Sequence, residues 1–508
     1  MPRTKSAAGG TPADAGLELI AQMHEILAAL VKTGTGSAIG LALAAAAAKI
    51  IAVTVGPGGF GLFSLLRQTY QTAVAFATLG GLTAVVQGIS SHAGRARTQY
   101  IVTAGGIFLL GGLAGSAVLL FMAPQWAHWV LGRRDPESVL LIRWLSLPLF
   151  LGVLQAYASG VLNGYRAVGR LALVHSANGA ALAIFAYPAA YLFVRGDIRA
   201  FAWLLGVVAL VSASMASLFV VRAGWLTPAM VFSPSPVTAP AARHFFMVAG
   251  PMLMTGLVST GTLLALRSLI ARQFALSGAG FFDAAWTVGT MYTVLLLMSF
   301  VTYYLPTLSQ TTDPQARLLL IGRMLRISTS LLVMLITSVV VLKPLVVSVL
   351  YSDKFHPALS ILRWLLIAEY FRTSGQVFVM PILGRADMRT YSFIEVGWNA
   401  GFFVLSASAV LSLAWLPGVG LAYLIMYASY LIYAFLHVRA HENFRLERHL
   451  LSRWIVGLLI VAGSSVHSWT DEAVRLSVAV PWLVAAGIFA GSSLPRDSLR
   501  KLAAQLRN

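Results

Sequence analysis

The sequence contains no cysteine. That excludes a disulfide framework, a cysteine metal site and a thiol nucleophile. Acidic residues are also scarce: 17 Asp and Glu stand against 36 Lys and Arg in 508 residues. A site for small organic cations needs clustered acids and few buried bases, and this chain has the reverse balance. Only 10% of the residues are charged while 58% are hydrophobic, which excludes an ordinary soluble globule. Long polar loops are missing too. The longest outside loops fall around 123–138 and 342–357, both short, and no clustered acid pair or nucleophile–base arrangement appears in them. An integral membrane polymerase or ligase is therefore disfavoured. No catalytic residue, cofactor or metal site is expected.

What is present is a succession of apolar runs. A bilayer crossing takes roughly 20 apolar residues. Such runs fall near 33–55, 60–90, 99–122, 138–162, 170–194 and 199–221, then near 244–271, 277–308, 316–342, 358–383, 389–413 and 417–439. Two more follow at about 452–468 and 476–494. The expectation is an all-α polytopic membrane protein of about 14 transmembrane helices. Residues 1–30 read as a polar tail and a short interfacial helix. Asp14, Glu18 and Glu25 interrupt any signal-peptide core there. Residues 31–222 make a first lobe, the Pro-rich 223–243 a linker, 244–440 a second lobe, and 441–508 a C-terminal helix pair with a basic tail.

The net charge of +19 would suggest nucleic acid in a soluble protein. Here much of the excess lies in short loops: Arg95 and Arg97, Arg166 and Arg170, Arg317 to Arg326, Arg385 and Arg389, Arg439 to Arg453. The positive-inside rule then places both termini in the cytoplasm. The partner is the bilayer, and no nucleic acid is expected.

The two lobes share residues. Gly59-Phe-Gly-Leu-Phe63 matches Gly278-Ala-Gly-Phe-Phe282, and Val130-Leu131 matches Val349-Leu350, both 219 positions on. Arg143-Trp-Leu145 matches Arg363-Trp-Leu365 and Gly164 matches Gly384 at an offset of 220. An even number of helices per copy makes the repeats parallel, with a substrate path between them.

Charges inside the spans are the sharpest signal. A charged side chain at bilayer depth costs at least about 2.5–3.5 kcal/mol and by default faces protein or water. Lys49, Arg67, Arg267 and Arg372 are such cations, and Gln71 lies one turn beyond Arg67. Lys49 and Arg267 hold nearly equivalent places in the first and seventh spans and are expected to face each other across a cleft. Glu369, one turn before Arg372, is expected to neutralise it. Asp283 and Glu395 lack a partner within one turn. Each reads either as a proton or sodium coupling site or as half of an ion pair with a neighbouring helix. Glu369 and His175 complete the set of coupling candidates.

The stretch Lys49 to Gln68, with Gly56-Pro-Gly-Gly-Phe-Gly-Leu-Phe63 after the first span, resembles the polysaccharide-transporter branch of the MOP exporter superfamily. Within it the Wzx-type O-antigen and enterobacterial-common-antigen flippases are similar over roughly residues 30–440. The resemblance implies V-shaped lobes that move undecaprenyl-pyrophosphate-linked oligosaccharide across the bacterial inner membrane. H+ or Na+, acting at the coupling candidates, and a polysaccharide polymerase are the further partners considered. Members often have twelve spans. The extra pair here is shared in number with the lipid II flippase branch, which stays an alternative beside a MATE-like exporter.

Overall fold

The computed structural model describes residues 12–231, 238–385, 387–469 and 473–492. These residues form eighteen α-helices, one π-helical turn and one 3₁₀ turn, and no strand occurs among them. The first half holds α1 (Pro12–Ala77), α2 (Gly81–Ser91), α3 (Gly94–Phe121), α4 (Ala123–Leu131), α5 (Pro136–Trp144), α6 (Ser146–Gly164), α7 (Val168–Val194), α8 (Ala200–Arg222) and the short α9 (Pro228–Val231). The second half holds α10 (Ala239–Gln273), α11 (Ala275–Ser299), the π turn Phe300–Tyr304, α12 (Leu305–Gln310), α13 (Pro314–Leu350), the 3₁₀ turn Asp353–Ala358, α14 (Leu359–Gly384), α15 (Met388–Leu411) and α16 (Gly418–Glu442). The last pair is α17 (Arg448–His467) and α18 (Leu476–Gly491).

Among the described residues, ten helical stretches are long and apolar enough to cross a bilayer. One of them, Ala42–Ala77, consists of the two arms of α1 on either side of Gly56. α11, α14 and the shorter α18 fill the remaining places of a fourteen-span chain. Large apolar side chains such as Leu110, Phe121, Ile184, Leu413 and Leu459 stand exposed, as lipid-facing residues do.

Gly56 turns α1 because its φ of 68° is open to glycine and strained for other residues. Pro57 follows it and disfavours a helical conformation in the residue before it. The expected span 60–90 is not continuous. It breaks at Thr78–Gly80 between α1 and α2. The equivalent span of the second half breaks at Phe300–Tyr304, 219 positions after Gly81. The interfacial helix expected before the first span is not a separate element, since α1 runs unbroken from Pro12 to the Gly56 turn. Residues 1–11 and 493–508, and residues 232–237 of the Pro-rich linker, lie outside the described residues.

Helix packing repeats between the halves. The first arm of α1 lies on α7, and α10 lies on α15. The pair α6–α8 recurs as α14–α16, and α7–α8 recurs as α15–α16. α17 and α18 both pack on α13. Lipid is as apolar as leucine, so close packing must supply what hydrophobicity cannot. Gly40 and Gly179 do so between α1 and α7: a Cβ on Gly179 would lie 2.7 Å from the Gly40 carbonyl oxygen.

The few acids have defined tasks. Asp135, Asp313 and Asp387 cap α5, α13 and α15, accepting from Ser138, Ala316 and Thr390 amides at 2.9, 3.0 and 3.0 Å. Glu442 accepts from Arg317 at 2.7 Å and Arg385 at 2.9 Å, tying loops at one end of the molecule.

Candidate functional site

The halves meet most closely where α1 crosses α11. Cβ atoms placed on Gly61 and Gly280 would lie 1.8 Å from the Leu276 carbonyl oxygen and 2.2 Å from the Pro57 carbonyl oxygen. Gly61 and Gly280 are repeat equivalents, and so are Pro57 and Leu276, each 219 apart. The pseudo-twofold axis therefore runs through this crossing. Only a residue without a side chain fits on either helix at this point.

One to two turns along α1 the charges appear. Asp283 on α11 accepts from Arg267 on α10 at 2.7 Å and from Arg67 on α1 at 3.2 Å. Arg267 also donates to Gln68 Oε1 at 2.6 Å. Gln68 and Thr72 both donate to the Thr260 carbonyl at 3.2 Å, which stitches α1 to α10. Asp283 and Arg267 are 1% and 4% exposed, whereas Arg67 is 32% exposed. One carboxylate thus holds two guanidiniums, and one of those guanidiniums reaches solvent-accessible space. Gln71 is exposed one turn further along α1.

Lys49 is elsewhere. Its Nζ donates to the Ser348 carbonyl at 3.0 Å, in the last turn of α13. It does not face Arg267, contrary to the repeat-based expectation, because Arg267 turns to Asp283 on its own half. Asp283 does have partners, both on neighbouring helices.

A second cluster lies within the second half. Glu369 on α14 is fully buried and accepts from Arg372 at 3.0 Å, Thr293 at 2.6 Å and Tyr423 at 2.9 Å. Arg372 stands over the Tyr427 ring at 5.8 Å. Tyr430 donates to Glu395 at 3.2 Å and accepts from Gln376 at 3.0 Å. Asn399 donates back to the Glu395 carbonyl at 2.8 Å. Trp286, Trp398 and Phe402 enclose these groups. The tyrosines were missed in the sequence, although Tyr423, Tyr427 and Tyr430 recur at one-turn spacing on α16. His175 belongs to neither cluster. It is exposed on α7, where Asn178 donates to Ser212 at 3.0 Å. Among the described residues no three His, Asp or Glu side chains are placed to hold a metal ion.

Beside the α1–α10 seam lies an apolar crevice of about 780 Å³. Phe76, Ile107, Leu110, Val118, Trp126 and Phe246 line it. A smaller cavity of about 340 Å³ shares Phe76 and Trp126 with it and extends to Ser268 and Arg272 on α10.

A family described as "Polysaccharide biosynthesis protein" matches residues 50–360. The chain belongs to this family. The chain is similar to the lipid III flippase of Escherichia coli (strain K12), 23% identical over 385 residues, which are 74% of this chain and 87% of that protein. The fold is that of MOP superfamily transporters. The lipid II flippase MurJ in an inward closed conformation aligns at a TM-score of 0.69 and 13% identity, over 91% of this chain and 98% of that one. An inward-facing MATE multidrug resistance transporter aligns at 0.65 and 15% identity, over 79% and 94%. An outward-facing MATE transporter aligns at 0.56 and 17%, over 82% and 95%.

Proposed function

We propose that the protein flips an undecaprenyl-pyrophosphate-linked oligosaccharide, an O-antigen or related surface-polysaccharide unit, from the cytoplasmic to the periplasmic leaflet of the bacterial inner membrane. Both termini are then cytoplasmic. Residues 31–222 and 244–440 act as lobes that move against each other, joined by 223–243 and followed by the pair in 441–508. The observation that carries this reading is the Arg67–Asp283–Arg267 cluster at the seam between halves.

A diphosphate and a glycan must cross a layer of low dielectric, and no covalent bond changes. A guanidinium fork suits phosphate oxygens, and the interaction strengthens as water is excluded. An empty carrier cannot leave such cations bare in the membrane. Asp283 resolves the conflict by occupying both forks until a diphosphate replaces it. Arg67, a third exposed, is the first fork the cargo meets. The prenyl tail stays in the lipid phase, and the apolar lining of the crevice beside the same seam suits it in chemistry.

The crossing at Gly61 and Gly280 lies at the end assigned to the periplasm. Its contact closes the path on that side. Opening it separates α1 from the second half and so pulls Arg67 away from Arg267, which splits the two forks that hold the diphosphate and releases cargo outward. Glu369 and Glu395 in the second cluster, with Asp283 and His175, are the groups through which H+ or Na+ would drive the cycle. Arg372 and Lys49 support the cationic path. A polysaccharide polymerase receives the flipped product.

A deletion strain tests this assignment. Undecaprenyl-linked oligosaccharide should accumulate and disappear on complementation with the intact gene. Accumulation of lipid II instead selects the lipid II reading, and no accumulation of any undecaprenyl intermediate removes the flippase reading.

A further inference from the structure

Lys49 and Ser268 are repeat equivalents, 219 positions apart, and so are Trp129 and Ser348. The fold pairs them crosswise. Lys49 on α1 donates to the Ser348 carbonyl on α13 at 3.0 Å. Ser268 on α10 donates to the Trp129 carbonyl and, at 3.0 Å, to the Val130 carbonyl, both on α4. One contact is therefore made twice, once from each half onto the other. All three carbonyls lie in the last turn of a helix, where no intrahelical amide is left for them. A donor there also meets the negative end of the helix dipole. Arg272, one turn beyond Ser268, donates to the His128 carbonyl at 2.7 Å and to that of Trp129. Because the two contacts are symmetry mates, they flank the axis that runs through the crossing at Gly61 and Gly280.

The two copies differ in their surroundings. Beside Ser348, Phe60 of α1 packs on Tyr351 and Phe355, with ring centroids 5.4 and 5.6 Å away. The repeat equivalents of Phe60 and Tyr351 are Ala279 and Gly132. In place of rings, that side holds a cavity of about 940 Å³ whose lining includes Gly132, His128, Asp135, Glu137, Arg272 and Gln273. Arg272 is exposed there, so water competes for the carbonyls it holds. The Lys49 contact is drier and charge-assisted, and it is the stronger of the two. We propose that these contacts are a matched pair of clamps that hold the outer end shut and release together when the halves part. Rigid halves that rock about one axis cannot break one contact and keep its symmetry mate. The clamp role rests on the periplasmic closure proposed for that crossing. Lys49 is a positioning residue in the closed molecule, its ammonium committed to a carbonyl of the other half, and it joins the cationic path only after the clamp opens.

Spin labels on Arg195→Cys in the first half and Leu413→Cys in the second, in a chain otherwise free of cysteine, report the separation of the halves. Full-length protein in nanodiscs without cargo is measured by pulsed electron resonance. Ser268→Ala should raise the ratio of long to short distances about threefold and Lys49→Met about ninefold, since a charge-assisted bond is roughly twice as strong. The two factors should multiply in the double variant. Arg363→Gln should change nothing, because the bonds of Arg363 to the Ser360 and Trp469 carbonyls do not cross between the halves. Ser268→Ala removes a single hydroxyl, so it decides the matter alone if Lys49→Met does not fold. An unchanged distance distribution in the double variant overturns the proposal. So does a double variant no more open than Lys49→Met. Loss of undecaprenyl pyrophosphate binding by Lys49→Met at an unchanged distance would make Lys49 a cargo ligand of the closed state and overturn it equally. The distance requires no cargo, so its failure is distinct from failure of the flippase assignment, which the deletion strain reads.

Discussion

Replacing Asp283 with Asn is the most informative single change. It keeps the volume and removes the charge between Arg267 and Arg67. Arg267 is 4% exposed and its contact with Asp283 is 2.7 Å. Breaking a buried pair by removing one partner costs about 3–5 kcal/mol. The Arg67 contact, at 3.2 Å and 32% exposure, adds little because solvent screens it. The low end, about 3 kcal/mol, corresponds to roughly a hundredfold change in an equilibrium constant. Part of that destabilises the fold, and part shifts the closed crossing toward open. Adding Arg267→Met removes the stranded charge and should recover most of the loss. Chemical unfolding in mixed micelles reads the first effect. Accessibility of a single introduced cysteine beside Gly61 reads the second against a background free of cysteine. Refutation would be a loss below about 1 kcal/mol for Asp283→Asn, or a double variant worse than the sum of the singles.

Other expectations follow from the same contacts. Gly61→Ala places a methyl group where the Leu276 carbonyl lies, so the crossing must separate. Cysteine labelling near Pro57 should rise several-fold, and an unchanged rate would mean the crossing does not close the path. Glu395→Gln should abolish the response of transport to an imposed proton or sodium gradient while leaving binding intact. An unchanged response would remove Glu395 from coupling. Glu369→Gln leaves Arg372 without its buried carboxylate and should lower unfolding stability by about 3 kcal/mol, measured in the same micelle assay. Lys343→Met removes the 2.9 Å bond to Ser468 at the end of α17, and protease should then cut the α17–α18 connection faster.

Much of the fold was legible because the bilayer fixes helix length and because the duplication left residues at a constant spacing. The matched glycines proved to be the crossing itself, where a side chain has no room. The contact between Glu369 and Arg372 follows from a spacing of three on one helix. The partners of Asp283 do not follow from spacing, since they lie 16 and 216 residues away and meet only when three helices converge. Lys49 misled for a related reason. Repeat equivalence fixes where a residue starts, but Arg267 found its carboxylate on α11 while Lys49 found a carbonyl at the end of α13. The breaks at Thr78–Gly80 and Phe300–Tyr304 were hidden inside continuous apolar runs.

The claim that most needs testing is that a guanidinium pair held by one carboxylate receives the diphosphate. Vesicles reconstituted with pure protein and a fluorescent undecaprenyl-pyrophosphate-linked saccharide measure this directly. Wild type should expose the labelled lipid to an external quencher, and Arg67→Gln, folded and inserted normally, should do so at least tenfold more slowly. Equal rates for the two proteins would contradict the account.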